Sequence, residues 1–159
     1  TYRFYANTPA KEVAAAMVSN YIKRMSDLNV SPDTLILASI VERESINDAD
    51  RPIIAGVYLN RLKLGMKLQA DPTVEYAKAT NDLAKHPNPA PGYTYWPTIT
   101  RADYQAVASP YNTYLVDALP AGPICSPGRK SIEAVLSPAT HNYIFFGYKD
   151  ANLFAHSFI

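Results

Sequence analysis

Apolar side chains recur at helical spacing through the first half of the chain. Three of the predicted helices begin with a polar residue followed by proline, at Thr8-Pro9, Ser31-Pro32 and Asp71-Pro72, where the polar residue is the expected N-cap. Gly65 is placed to end the third helix. The pattern therefore predicts four helices, over residues 8–29, 31–45, 50–64 and 71–80. The inward positions of the third helix are Ile54, Val57, Tyr58 and Leu62.

The second half has a weaker period and more proline. Residues 81–100 contain four prolines, so a proline-rich surface loop is expected there. The segment after Tyr111 is expected to be β-rich and interrupted by proline, and the chain is expected to end in a hairpin. The remaining predicted elements are short helices over 101–108 and 130–136, and strands over 143–148 and 153–158 joined by a turn at 150–152.

These elements predict an α+β fold, with a helix-rich N-terminal part and a small antiparallel sheet toward the C-terminus. A length of 159 residues suits one domain that spans residues 1–159. Because 48% of the residues are hydrophobic and 18% are charged, a soluble globular protein is expected. The net charge of +1 gives no field that would favour nucleic acid or anionic lipid as a partner.

Neither a membrane span nor a cofactor motif is found in the sequence. No apolar run reaches the roughly 18 residues that a spanning helix needs. The chain begins at Thr1, without an initiating methionine, and we expect it to be a soluble piece of a longer protein that carries any membrane anchor. The three histidines lack the spacing of a zinc site, and Cys125 is the single cysteine, so we expect no metal, cofactor or internal disulfide.

One glutamate lies on the apolar face of the second predicted helix. Glu44 shares that face with Leu37, Ile40 and Val41. Glu42 lies roughly 160° around the helix from Glu44, at about 100° per residue, so the two carboxyl groups should have different environments. A carboxyl group among apolar side chains loses hydration, and the resulting rise in pKa suits a general acid. The alternative is an ordinary glutamate at a helix end that pairs with a nearby arginine, and helix geometry alone leaves both open.

Five blocks of sequence carry a resemblance to a known family. In order, they are LASIVERES (37–45), IAGVYLNRL (54–62), GMKLQADPTV (65–74), SPYNTY (109–114) and LPAGPI (119–124). Together they closely resemble the endolytic murein transglycosylase (YceG-like) family over nearly the whole chain. The resemblance implies a membrane-anchored bacterial enzyme whose catalytic domain lies on the outer side of the membrane. Such enzymes cut peptidoglycan glycan strands internally, at the β-1,4 bond from N-acetylmuramic acid to N-acetylglucosamine, and leave 1,6-anhydro ends.

The resemblance also implies roles for individual residues. The catalytic residue of the family falls on Glu44, as general acid and then general base, in a lysozyme-like placement. Gln69 and Asn112 are candidates to bind N-acetyl or hydroxyl groups, and Tyr111 and Tyr114 are candidates to stack on sugar rings. The full set of candidate substrate-binding residues is Ser45, Arg61, Gln69, Tyr111, Asn112, Thr113 and Tyr114.

Peptidoglycan strands are the expected partner, together with cell-wall synthases of the penicillin-binding protein class. Two other functions stay open. The chain could be a peptidoglycan-binding module without catalysis. It could also be a muramidase-type hydrolase, which needs a second carboxylate, and Asp48 and Asp71 are the candidates.

Overall fold

The computed structural model describes residues 2–150 and 155–159. Its elements confirm the α+β class, because helices precede a single two-stranded sheet in the described part of the chain. The chain divides into two compact units, Thr1–Val30 and Ser31–Ile159. The elements in chain order are α1 (Ala10–Met25), α2 (Pro32–Glu44), α3 (Arg51–Lys63), α4 (Asp71–Lys85), α5 (Asp103–Ala106), α6 (Arg129–Leu136), β1 (Phe146–Asp150) and β2 (Ala155–Phe158).

The first unit contains α1 and the segment that precedes it. The ring of Tyr2 stacks on that of Phe4, with centroids 5.9 Å apart. The side-chain amide of Asn20 donates to the Tyr2 hydroxyl at 2.6 Å, which ties the segment to the helix. Met17 and Tyr21, which lie four residues apart on α1, are 51% and 39% exposed.

The core of the second unit is built from α2, α3 and α6, which contact one another, while α2 also contacts α4. Local signals set the helix ends as predicted: Ser31 accepts a hydrogen bond from the Thr34 amide, and Gly65 ends α3 with a φ of +67°. The largest fully buried apolar side chains are Tyr58, Ile40, Ile54, Leu68, Ile132, Val41, Val57 and Val74.

Three predictions about the chain from residue 71 onward are wrong in detail. Helix α4 continues to Lys85, beyond the predicted end at Thr80, and this shortens the loop. Asp71 is the first residue of α4 rather than its cap, because Ala70 holds the N-cap position. The segment from 111 to 128 forms turns instead of strands, since its backbone amides bond within turns or to side chains, as the Ile124 amide does to the Ser39 hydroxyl at 3.0 Å.

The C-terminal hairpin lies against α3. Strands β1 and β2 pair antiparallel, with Phe146 opposite Phe158. β1 begins three residues later than predicted, and residues 151–154, which include most of the predicted turn and the start of the second predicted strand, lie outside the described residues. A Cβ atom on Gly56 would lie 2.5 Å from His141 Nε2 and 2.7 Å from the Ala139 carbonyl oxygen. The glycine therefore permits the close approach of the segment that leads into the hairpin.

Candidate active site

A pocket of about 610 Å³ lies within the second unit. It is bordered by the C-terminal end of α2, the inward face of α3, the start of α4 and the hairpin. Its lining residues are Arg43, Glu44, Tyr58, Arg61, Gln69, Asp71, Pro72, Glu75, Tyr104, Tyr114, Phe145, Phe146, Gly147 and His156.

Glu44, the last residue of α2, places its carboxyl group in this pocket. Its pKa is raised from 4.5 to about 7, chiefly by loss of hydration on burial. The negative charges of Asp71 and Glu75 contribute to this rise, whereas the hydrogen bond from Tyr58 and the charge of Arg61 oppose it. A carboxyl group of this kind exchanges its proton near neutral pH.

Tyr58 holds the Glu44 carboxyl group in place. Its hydroxyl donates to Glu44 Oε1 at 2.7 Å, and its side chain is 1% exposed. Burial raises the pKa of Tyr58 well above its usual value, so the hydroxyl remains a donor. The ring of Phe146 packs edge-on against the Tyr58 ring, with centroids 5.7 Å apart, which fixes the tyrosine between α3 and β1.

Glu42 has a different role on the same helix. Its Oε2 atom accepts from the Arg51 guanidinium at 3.1 Å, the Ser131 hydroxyl at 2.6 Å and the Gly128 amide at 3.1 Å. These bonds tie α2 to α3 and to the start of α6. The expected difference between the environments of Glu42 and Glu44 is therefore confirmed.

Gln69 lines the pocket with a strained backbone. Its φ of +48° lies in the left-handed region, which costs a residue with a Cβ atom about 1 kcal/mol. Thr113 holds it there, since its carbonyl accepts from the Gln69 amide at 3.1 Å and its hydroxyl accepts from the Ala70 amide at 2.9 Å. Leu68 and Ala70 are buried on either side, which leaves the exposed Gln69 side chain on the pocket surface.

Arg61 is a buried arginine at the pocket wall. Its side chain is 6% exposed and donates to the carbonyl oxygens of Ile144 and Leu68, each at 2.6 Å. The guanidinium carbon lies 4.9 Å from the centroid of the Phe145 ring. Arg61 therefore joins α3 to the hairpin and to the turn that carries Gln69, and its charge reaches Glu44.

Two tyrosines form a flat part of the pocket wall. The rings of Tyr104 and Tyr114 are nearly parallel, at 4° between planes, with centroids 4.0 Å apart. Both hydroxyls donate to the Asp71 carboxylate, at 2.6 Å from Tyr114 and 3.2 Å from Tyr104. Asp71, which the sequence suggested as a helix cap, instead joins residues that are 33 and 43 positions away in the chain.

The other candidate substrate-binding residues lie behind the pocket rather than in its wall. Asn112 and Thr113 are 0% exposed, and their side chains bond to protein groups. Tyr111 packs on Tyr76 at 4.7 Å between ring centroids. The Ser45 hydroxyl is buried and has no hydrogen-bond partner among the described residues. Of the predicted set, the structure brings Glu44, Arg61, Gln69 and Tyr114 together.

A contact from the proline-rich loop reaches the edge of the pocket. The guanidinium carbon of Arg43, a lining residue, lies 3.9 Å from the centroid of the Trp96 ring. Trp96 packs in turn on Tyr95 and Tyr76, at 5.3 and 6.4 Å between centroids. The loop is thus attached to α2 and α4 by aromatic contacts.

Several pocket residues were not singled out from the sequence. Tyr58 was recognised only as an inward residue of α3, because its partner is 14 residues away. Glu75 follows Asp71 by four residues, so helical spacing could have placed both on one face. No local signal marks Tyr104. The His156 side chain is 1% exposed, with Nδ1 2.7 Å from Asp50 Oδ2.

The two carboxylates considered for a hydrolase differ in place. Asp48 is absent from the pocket lining, and its side chain is 57% exposed. Its hydrogen bonds with Lys130 and Arg51 lower its pKa. Asp71 is in the pocket.

Over residues 2–150 and 155–159, no group of three His, Cys, Asp or Glu residues could hold a metal ion, and no helix has the length and hydropathy to cross a membrane.

Comparisons with known proteins agree with the resemblance seen in the sequence. The sequence profile of the YceG-like family matches residues 1–159. An endolytic murein transglycosylase of Bacillus subtilis is 38% identical over 130 residues, which are 81% of this chain and 32% of that protein. One of Streptococcus pneumoniae is 31% identical over 147 residues, 85% of this chain and 23% of that protein. The chain thus spans about a third or less of these relatives.

A crystal structure supports the same assignment. A YceG-like protein of Listeria monocytogenes superposes with a TM-score of 0.74 at 31% identity, over 99% of this chain and 48% of that one. Sequence profile, relatives and fold therefore agree, and the chain belongs to the YceG-like family.

Proposed function

We propose that this chain is the catalytic part of a lytic transglycosylase that cuts peptidoglycan strands internally. The bond cleaved is the β-1,4 link from N-acetylmuramic acid to N-acetylglucosamine, and the product carries a 1,6-anhydro end. The names of the Bacillus and Streptococcus relatives support murein as the substrate. The observation that carries the proposal is the pocket carboxyl group of Glu44, with its pKa of about 7.

Glu44 would act twice in one turnover. Its protonated form gives a proton to the bridging oxygen as the bond from that oxygen to C1 of the muramyl sugar breaks. The resulting carboxylate then takes the proton of the C6 hydroxyl as the C6 oxygen bonds to C1, which restores the acid. The nucleophile is the C6 hydroxyl of the substrate, so the reaction needs neither water nor a second carboxylate. A pKa near the working pH suits a group that must both give and accept a proton.

The wall of the pocket offers groups for the sugar. The Gln69 amide stands on a backbone that is held in a costly conformation, which is common where a side chain must be aimed at a ligand. Tyr114 presents an aromatic ring. Two of the Arg61 donors bond to carbonyl oxygens, so we assign Arg61 the role of fixing the hairpin and the turn that carries Gln69. Asn112 and Thr113 are fully buried, so we assign them supporting roles: Asn112 holds Tyr114, and Thr113 holds Gln69.

Product analysis on purified glycan strands tests the proposal. The wild-type chain should produce anhydro ends, and Glu44→Gln should lower the rate by about 10²–10⁴-fold with unchanged circular dichroism, since the isosteric amide cannot transfer the proton. Asp48→Asn is the matched control, and it should retain activity because Asp48 lies outside the pocket.

The two alternatives give different results in the same experiment. A hydrolase would leave reducing ends that are heavier by one water, and a carboxylate would be needed as base or nucleophile. Asp71 is the better placed second carboxylate of the two considered, so Asp71→Asn would then also abolish cleavage. A binding module would retain strands without cutting them, in both wild type and Glu44→Gln.

We also propose the setting of the reaction by family membership. The parent protein is expected to be anchored in the cell membrane with this part facing the cell wall, and to work beside cell-wall synthases of the penicillin-binding protein class. Protease accessibility of the parent protein in intact cells, with the outer membrane permeabilised where there is one, tests the orientation. Protection of this part would contradict it.

A further inference from the structure

Tyr104 and Tyr114 are fixed at both ends. The side-chain amide of Asn112 fixes the backbone of both tyrosines. Its Nδ2 donates to the Tyr104 carbonyl oxygen at 3.1 Å, and its Oδ1 accepts from the Tyr114 backbone amide at 3.0 Å. At the hydroxyls, both rings donate to Asp71. Burial, and then the bond to Asp71, raises the pKa of Tyr114 well above its usual value, so this hydroxyl stays a donor. One buried amide and one carboxylate therefore hold two rings in a single stacked unit.

This unit is built into the pocket wall rather than into the core. Tyr104, Tyr114 and Asp71 all line the pocket that contains Glu44, and both tyrosines remain partly exposed. The pair is partly exposed, so it does not fill the core. Packing alone therefore does not account for the bonds from Asn112 and Asp71 that fix it. Rings that are already fixed lose little further freedom when a ligand binds, which increases affinity.

We propose that the Tyr104–Tyr114 pair is a stacking subsite for one hexopyranose ring of the glycan, and that Asp71 is the positioning residue that holds the pair. The apolar C–H face of a pyranose ring matches a flat aromatic face, while its equatorial hydroxyls remain free to bond elsewhere. The subsite would place one sugar while the scissile bond lies at Glu44. This inference rests on the proposed function, because it assumes that the pocket takes a glycan.

The direct test measures binding in a chain that cannot cleave. The parent is Glu44→Gln, and the probe is an oligosaccharide of alternating N-acetylglucosamine and N-acetylmuramic acid, titrated by calorimetry. Tyr114→Phe and Tyr104→Phe keep the ring and should weaken binding by about 2–3-fold. Tyr114→Leu and Tyr104→Leu keep an apolar side chain without a flat face and should weaken binding by about 5–10-fold. Tyr93→Leu is the control, since Tyr93 is exposed and lies outside the pocket lining.

Asp71 needs a readout that a purely structural residue would not move. Because this test is made in the Glu44→Gln protein, a substitution of Asp71 cannot change binding through the charge of Glu44. Asp71→Ala should therefore weaken binding as much as the leucine variants, and Asp71→Asn, which keeps one acceptor oxygen, should recover part of the loss. In the active enzyme, Tyr104→Leu should raise KM about 5–10-fold and leave kcat within about 2-fold.

Two outcomes overturn the inference. The first is leucine variants that fold and bind the probe as tightly as the parent. The second needs no substitution at the pair: the sugar C–H protons of the bound probe should move upfield in the NMR spectrum from the aromatic ring current, and their failure to move excludes stacking. Failure of the proposed function looks different, because it appears as a parent that does not bind the probe or a wild type that makes no anhydro ends.

Discussion

The carboxyl group of Glu44 should make the protein less stable as the pH rises, and Glu44→Gln should remove that effect. In the unfolded chain the group ionises near pH 4.5, whereas in the folded protein it keeps its proton up to about pH 7. Between these values the unfolded chain binds fewer protons than the folded one, so the free energy of unfolding falls as the pH rises. Below pH 4.5 the group is protonated in both states and makes no difference.

The size of the effect follows from the two pKa values. Each pKa unit corresponds to about 1.36 kcal/mol, so the interval from 4.5 to about 7 amounts to roughly 3 kcal/mol. Glutamine is neutral at every pH and can still accept the hydrogen bond of Tyr58. Glu44→Gln should therefore match wild type below pH 4.5 and exceed it by roughly 3 kcal/mol above pH 7. A comparison of the two proteins cancels the contribution of titrating groups that do not interact with Glu44.

Urea unfolding followed by far-ultraviolet circular dichroism, at several pH values across this interval, measures the difference. Glu42→Gln is the matched control on the same helix. It should be destabilising, by about 1–3 kcal/mol, because it leaves the partly buried Arg51 without a charged partner at that position. The reasoning is refuted if wild type and Glu44→Gln stay parallel across the interval, or if they differ by less than about 1 kcal/mol above pH 7.

Three further predictions concern other positions. Tyr58→Phe removes the donor that favours the Glu44 carboxylate, so the alkaline limb of kcat/KM should move up by about 1–2 pH units; an unmoved or lowered limb would contradict the assignment. Gly56→Ala should lower the free energy of unfolding by about 1–3 kcal/mol, because its Cβ would overlap the Ala139 carbonyl, while Gly147→Ala, with open space around it, should be nearly neutral. Gln69→Gly should be more stable than Gln69→Ala by about 1 kcal/mol in urea unfolding, yet both should bind glycan more weakly; equal stabilities would mean that φ is not strained.

Local chemistry made the helices predictable. The Ser31-Pro32 start of α2 depends only on neighbouring residues, since the Ser31 hydroxyl bonds to the amide of Thr34. The same holds for Gly65, whose left-handed φ ends α3 without help from the rest of the fold. Glu44 could be found because its apolar neighbours are on its own helix, one and two turns away.

Long-range partners account for what the sequence did not show. Asp71 has the sequence context of a cap, yet two tyrosine hydroxyls from a distant loop take its carboxylate. The Asn112 side chain has groups that could bind a sugar. Its Nδ2 instead donates to the carbonyl oxygens of Tyr104 and Val107, so it is not available to a ligand in the pocket. The apolar residues after Tyr111 predict strands. A strand also needs a partner strand beside it, and the local sequence does not show whether one is present.

The contact between Arg43 and Trp96 has a practical consequence. Trp96 is the only tryptophan in the sequence, and its indole lies against a cation at the pocket edge. Indole emission responds to nearby charge, so a compound that draws Arg43 away changes a fluorescence signal that comes from one known place. Inhibitors of the pocket can therefore be screened without a label, by the colour and intensity of the light that the protein itself emits.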